Sequence, residues 1–176
     1  MSAFLHHLSY DFKSGVRDRT RLLMNYILPL GFFLVVSGLM GSLNPVFKEQ
    51  MLPAMTLFAI LACALLSLPS LLVQAREAGV FRSYRINGVP AASVLAVPQL
   101  GGLVHMAVVS VVIALLGPRL YDGAAPVDLL GYAAAGLLSY AALSDLGALI
   151  GVVAGNDQAT ILLGQAIYLP SMLLGG

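Results

Sequence analysis

The sequence predicts an all-α, polytopic membrane protein, and composition and charge placement support this prediction. Of the 176 residues, 59% are apolar and only 10% are charged, and the mean hydropathy is +0.92. Soluble domains are about 45–50% apolar and about 25% charged. A disordered chain is excluded because it needs low hydrophobicity and high charge. A formal net charge of +1 leaves no basic excess for nucleic acid, and a single cysteine excludes a disulfide scaffold.

The charged residues stand between long uncharged stretches. No charged residue occurs between Arg21 and Lys48, and none between Glu49 and Arg76. About 20 apolar residues cross a bilayer core, and these stretches lack the polar alternation of barrel strands. We therefore expect a bundle of five transmembrane helices, at about 22–43, 51–73, 94–116, 129–154 and 159–176.

The N-terminal segment 3–20 predicts a helix lying at the membrane interface. Phe4, Leu8, Phe12 and Val16 recur every four residues, while the charged side chains of the segment fall on other faces. This is the pattern of an interfacial amphipathic helix. The alternative is a disordered basic tail.

The positions of the basic residues predict the orientation. With a cytoplasmic N-terminus, the external loops 44–50 and 117–128 hold only Lys48 and Arg119, and the loop 74–90 is internal. Cytoplasmic loops carry an excess of Lys and Arg. The remaining seven basic residues are then internal: Lys13, Arg17, Arg19, Arg21, Arg76, Arg82 and Arg85.

We expect residues 1–176 to form a single transmembrane domain, because the loops are too short to hold a separate catalytic domain. The last predicted span ends at Gly175-Gly176, and no charged or aromatic anchor follows it. Natural spans usually carry such anchors. This predicts a fragment of a longer protein; the alternative is a protein that ends here.

Two ionisable residues lie within predicted spans. His105 is near the middle of the third span, and Asp145 is in the fourth. Intramembrane ionisable groups are costly, so each is a functional candidate, for example in a proton or ion relay. The alternative for Asp145 is a hydrogen bond to Ser, Tyr or backbone groups between helices. Cys63, in the second span, is expected to pack.

No motif predicts catalysis or a metal site on this chain. The sequence has no nucleophile elbow, no HExxH motif and no Walker A loop. We therefore expect no enzyme activity, no metal and no nucleotide site here. If ATP drives transport, the ATPase is another chain.

Small residues line part of the fourth span and permit close helix approach. A subunit or pathway interface and ordinary packing within one bundle are both compatible with them. Gly131, Ala135 and Ser139 lie on one helical stripe with Leu143, and Gly147 and Gly151 form a further pair.

The internal loop 74–90 mixes charged and apolar side chains. At helical spacing Phe81, Tyr84 and Arg85 share a face, and Asn87-Gly88 predicts a turn before Pro90. We expect a short amphipathic helix beneath the membrane that presents a surface to a cytoplasmic partner. The alternative is a positively charged anchor without a partner.

The motif in this loop resembles one in the permease subunit of type-2 ABC exporters. It reads Arg76-Glu77-Ala78-Gly79, then Phe81-Arg82-Ser83-Tyr84-Arg85, then Gly88-Val89-Pro90. The turn at 155–158 and the segment 170–175 are similar to their family counterparts, and the resemblance extends over essentially the whole chain. Family members have six spans, one more than predicted here.

The resemblance implies a substrate pathway formed by two permease subunits, as a homodimer or heterodimer. A separate cytoplasmic ATPase would bind ATP and Mg²⁺ and drive export. The host membrane would be a bacterial plasma membrane. We expect substitution of Phe81 or Glu77 to uncouple ATP hydrolysis from transport. The implied ATPase-coupling residues are Arg76, Glu77, Gly79, Phe81, Arg82, Tyr84 and Arg85.

Two other functions remain compatible with the residues. One is a secondary transporter or channel that uses Asp145 and His105 and is driven by an ion gradient. The other is a membrane assembly subunit without transport activity, in which the loop 74–90 binds a partner other than an ATPase.

Overall fold

The computed structural model describes residues 18–86 and 88–174, which form six helices in these ranges. The predicted interfacial helix at 3–20 lies almost entirely outside the described residues. Two helices contain a π-helical turn. Helix α1 comprises Arg19–Leu22, the π-helical turn Leu23–Ile27, and Leu28–Leu43, and helix α2 comprises Phe47–Ala62, the π-helical turn Cys63–Ser67, and Leu68–Glu77. The other four helices are α3 at Val80–Ile86, α4 at Ala91–Tyr121, α5 at Leu129–Val153 and α6 at Asp157–Leu174.

Four of the helices, α1, α2, α4 and α5, are long and apolar enough to cross a membrane. The prediction of five spans is not confirmed, because α6 is not among them. Asp157, Gln158 and Gln165 lower its hydropathy. Helices α2 and α4 also extend beyond the predicted spans 51–73 and 94–116.

Successive long helices run in opposite directions, so the bundle has two ends. One end carries α3, and we call it the α3 end and the opposite one the far end. At the far end the Lys48 ammonium lies 3.7 Å from the Asp122 carboxylate. The Tyr121 hydroxyl donates a hydrogen bond of 2.9 Å to the Leu34 carbonyl. These contacts join the last turn of α4 to α1 and α2.

Helix α2 is the centre of the bundle. In the most apolar 18-residue segment of α2, 72% of the residues are buried, whereas the buried share of the corresponding segment is 22–39% in the other three spanning helices. Its side chains contribute most of the main core cluster, in which they meet Phe33 of α1, Met106 and Ile113 of α4, and Tyr140 of α5. Helices α1, α4 and α5 therefore pack around α2.

Two π-helical turns lie side by side in α1 and α2. Each ends immediately before a Leu-Pro pair, Leu28-Pro29 or Leu68-Pro69. A proline inside a helix lacks an N–H donor, and its ring clashes with the carbonyl four residues earlier. A π-helical turn shifts the hydrogen-bond partners by one residue and accommodates the proline. The same arrangement of a π-helical turn and a Leu-Pro pair thus occurs in both helices.

Candidate functional site

The loop 74–90 contains the short helix that the sequence predicts, α3, between two glycine turns. Gly79 has φ +73° and Gly88 has φ +70°. Both are in the left-handed region, which ends helices at low cost only for glycine. After α3, the Val89 N–H donates to the Tyr84 carbonyl at 2.9 Å, as in a Schellman motif. Gly79 therefore separates α2 from α3 by a sharp turn.

The two faces of α3 differ in burial. Phe81 packs against a cluster of Leu68, Leu72 and Ala148, and Tyr84 is also partly buried. Arg82 and Arg85 are exposed. The face that the sequence assigned jointly to Phe81, Tyr84 and Arg85 is thus divided, because the rotation of α3 against the bundle turns the two aromatic rings inward.

Arg76 and Glu77, at the end of α2, differ in their contacts. The Arg76 guanidinium donates to the Val152 carbonyl at 3.1 Å and to the Ala154 carbonyl at 2.5 Å. Both carbonyls belong to the end of α5. Glu77 is exposed, and no described residue forms an ion pair with it. Among the described residues, neither Arg76 nor Arg82 therefore forms an ion pair with Glu77.

Helices α2 and α5 are in close backbone contact near the α3 end. A Cβ atom at Gly147 would overlap the Ala64 carbonyl oxygen, and one at Gly151 would lie 3.0 Å from the Pro69 carbonyl oxygen. The pair Gly147 and Gly151 therefore serves packing within one chain. The stripe from Gly131 to Leu143 differs, since most of its neighbourhood on α5 is exposed.

His105 and Asp145 have separate partners. The His105 Nδ1 atom and the Tyr26 hydroxyl are hydrogen-bonded at 2.5 Å, and both rings form an edge contact with centroids 5.4 Å apart. The Asp145 carboxylate accepts a hydrogen bond of 3.1 Å from the Gln99 amide. The direct contact between His105 and Asp145 that a relay would use is not formed.

A cavity of about 390 Å³ opens between α2, α4 and α5 in the half of the bundle near the far end. Its walls are mainly apolar, from residues such as Ile60, Met106 and Leu137. The hydroxyls of Thr56 and Tyr132 are hydrogen-bonded to each other at its wall. Pockets of this size hold small molecules, and apolar walls suit an apolar group.

Within the described ranges, no three His, Cys, Asp or Glu side chains are grouped closely enough to hold a metal ion. Cys63 is buried and unpaired in the core.

Comparison with protein families places the chain. Residues 3–176 match the model of the family described as "ABC-2 type transporter". The chain belongs to the ABC-2 type transporter family. No curated protein and no solved structure matches it. As an ABC-2 membrane domain, it is a transmembrane permease subunit without catalytic activity.

Family membership decides between the functions that the residues left open. An ABC-2 permease is the multi-pass membrane subunit of an ABC transporter, and such subunits generally pair with ABC ATPases that bind the nucleotide. A transporter driven by an ion gradient and an assembly subunit are therefore set aside. In this ABC-2 bundle, His105 and Asp145 form hydrogen bonds between helices.

Two interhelical contacts of this ABC-2 chain are not among those predicted from its sequence. Gln99 was not recognised as the partner of Asp145, although each lies eight residues from the α3 end of its helix, counting from Ala91 in α4 and to Val153 in α5. Equal depth was the available signal. Gly164 of α6 was also missed. A Cβ atom there would overlap the Leu65 carbonyl oxygen of α2.

Proposed function

We propose that this chain is the permease subunit of an ATP-driven exporter, and that α3 is the helix on which the ATPase docks. The supporting observation is the division of α3 into two faces. Phe81 is held by the bundle, while Arg82 and Arg85 are exposed beyond the ends of the spanning helices. An anchored helix with an exposed cationic face can both bind a partner and pass on its movement.

Within this proposal the predicted coupling residues have different tasks. Phe81 and Tyr84 anchor α3, Gly79 forms the turn that orients it, and Glu77, Arg82 and Arg85 contact the ATPase. Arg76 acts within the chain, through its hydrogen bonds to the end of α5. ATP and Mg²⁺ are bound by the partner.

A second permease subunit, identical or homologous, completes the substrate pathway in this proposal. The first half of α5 supports it, because residues such as Leu130 and Leu138 are 81% and 70% exposed beside the small residues of the stripe. Small residues allow helices of two subunits to approach closely. The membrane is proposed to be a bacterial plasma membrane.

We also propose that α6 is a fifth span. Its 18 residues would extend about 27 Å at the helical rise, close to the thickness of the hydrocarbon core. Thr160, Gly164 and Tyr168 face the bundle and are buried, whereas Leu162 and Leu169 are exposed and apolar. The polar residues that lower its hydropathy lie mainly in its first half.

Docking is tested by purifying the tagged chain from its native membrane in mild detergent and identifying bound proteins by mass spectrometry. The wild-type chain should recover an ABC ATPase, and the double variant Arg82→Ala/Arg85→Ala should lose it. Arg119→Ala is the matched control, because this exposed arginine lies at the far end and bonds within its own helix. Retention of the ATPase by the double variant would refute docking on the exposed face of α3.

Orientation is tested by labelling single cysteines with a membrane-impermeant maleimide in intact cells. In a Cys63→Ala background, Val127→Cys at the far end should react, and Ile86→Cys on α3 should react only after permeabilisation. Both positions are highly exposed, 106% and 75% respectively. The reverse pattern would place α3 outside the cell and exclude docking of a cytoplasmic ATPase there.

A further inference from the structure

We propose that Arg76 is the positioning residue that ties the α3 end of α2 to the end of α5, so that movement of α3 is passed to α5. The proposal rests on the proposed function, in which α3 receives the ATPase. The contacts that support it all lie within this chain and do not involve the ATPase.

The contact joins two places that are remote in sequence. Arg76 lies three residues before the Gly79 turn into α3, and its guanidinium reaches the Val152 and Ala154 carbonyls at 3.1 and 2.5 Å. The last four carbonyls of a helix have no intrahelical donor, and the helix end carries a partial negative charge. A guanidinium satisfies both needs because its planar fork offers several donors.

A second set of contacts between α2 and α5 acts in a different direction from the hydrogen bonds of Arg76. Gly147 and Gly151 bring the backbone of α5 against the Ala64 and Pro69 carbonyl oxygens of α2. These contacts hold the two helices side by side, but a glycine has no side chain that could hydrogen-bond to the partner helix. The hydrogen bonds of Arg76 hold the end of α5 and so define the axial register.

The end of α2 is also hydrogen-bonded to the start of α6. Ser70 of α2 donates a hydrogen bond to the Asp157 carboxylate at the start of α6, and the Gln74 amide donates to Ser70 at 3.2 Å. The end of α2 is therefore bonded to both helices that meet at the turn 154–156. Force applied to α3 enters α2 through Gly79 and leaves through Arg76.

The test measures the distance between spin labels at Ala78→Cys, between α2 and α3, and Leu130→Cys, in the first turn of α5. Both positions are exposed. The labelled chain carries Cys63→Ala, is mixed with an excess of unlabelled chain so that only distances within one subunit are measured, and is reconstituted in nanodiscs of phosphatidylethanolamine and phosphatidylglycerol. The first measurement uses the chain alone, and the second uses its complex with the ATPase, without nucleotide and after trapping with ADP and vanadate.

In the chain alone we expect a single narrow distance, which broadens in Arg76→Ala and partly recovers in Arg76→Lys. In the complex we expect the distance to stay constant on trapping, and to change in Arg76→Ala. Arg119→Ala, another arginine bonded to a carbonyl, should behave as wild type. A role in stability alone would lower the yield or the unfolding temperature without making the distance depend on nucleotide.

An unchanged narrow distance in Arg76→Ala alone would overturn the tie, whatever the ATPase does. Broadening in the chain alone, followed by a constant distance in the trapped Arg76→Ala complex, would overturn the transmission of movement. If the wild-type chain binds no ATPase, the proposed function fails and the transmission to α5 fails with it, while the measurement on the chain alone still decides the tie.

Discussion

The two halves of α5 are packed in opposite ways. In the half near the α3 end, glycines bring its backbone against carbonyl oxygens of α2, and Arg76 bonds its last carbonyls. In the half near the far end, most side chains are exposed, and a cavity of about 390 Å³ separates α5 from α2 and α4. Both halves contain small residues.

The two halves show that small residues in a membrane helix do not have one single structural role. They allow close approach where a partner helix is at hand, and they leave an uncovered surface where it is not. Under the proposed function, a closely packed half near α3 would suit the transmission of movement, and an uncovered half would suit contact with a partner subunit or a substrate.

The largest expected difference between the two halves is in their response to a methyl group. Gly147→Ala should destabilise the chain by about 1–3 kcal/mol, because the Cβ atom overlaps the Ala64 carbonyl oxygen and α5 must shift. Gly136→Ala should instead stabilise it by about 0.5–1 kcal/mol, because no atom lies within 4 Å and alanine favours the helix. Unfolding in mixed detergent micelles measures both. Equal effects of the two variants would contradict the difference between the halves.

A smaller effect is expected at the turn that separates α2 from α3. Gly79→Ala should cost about 1–2 kcal/mol in the local stability of α3, because alanine is strained at φ +73°. Gly155→Ala is the control, because Gly155 is outside the left-handed region and has no atom within 4 Å. Hydrogen exchange of the α3 amides measures the change. Faster exchange in both variants, or in neither, would show that the turn does not hold α3.

The smallest effects are expected from removing single hydroxyls. Tyr140→Phe should cost about 0.6 kcal/mol, the average for an interhelical hydrogen bond in a membrane, because its bond of 2.7 Å to the Gln99 carbonyl is lost. Tyr132→Phe at the cavity should change stability less, because Thr56 can turn to a carbonyl of its own helix. The same unfolding assay compares them. A larger loss in Tyr132→Phe would mean that the cavity wall is the more rigid region.

Much of the architecture was accessible from the sequence. The uncharged stretches predicted α1, α2, α4 and α5, because a bilayer excludes charge over a fixed length and this constraint acts locally. Gly88 marked the end of α3, because a tendency to the left-handed conformation is a property of the single residue, whereas the turn at Gly79 was seen only in the structure. The same logic predicted a fifth span at 159–176, which is not confirmed, because Asp157, Gln158 and Gln165 lower the hydropathy of α6.

The contacts of the candidate site required the tertiary structure. Arg76 bonds the end of α5, Gln99 bonds Asp145, and Phe81 is turned into the bundle while Arg85 is not. Each of these depends on the axial shift and the rotation of one helix against another. Helical periodicity in the sequence places residues on a common face, but only packing decides which neighbour that face meets.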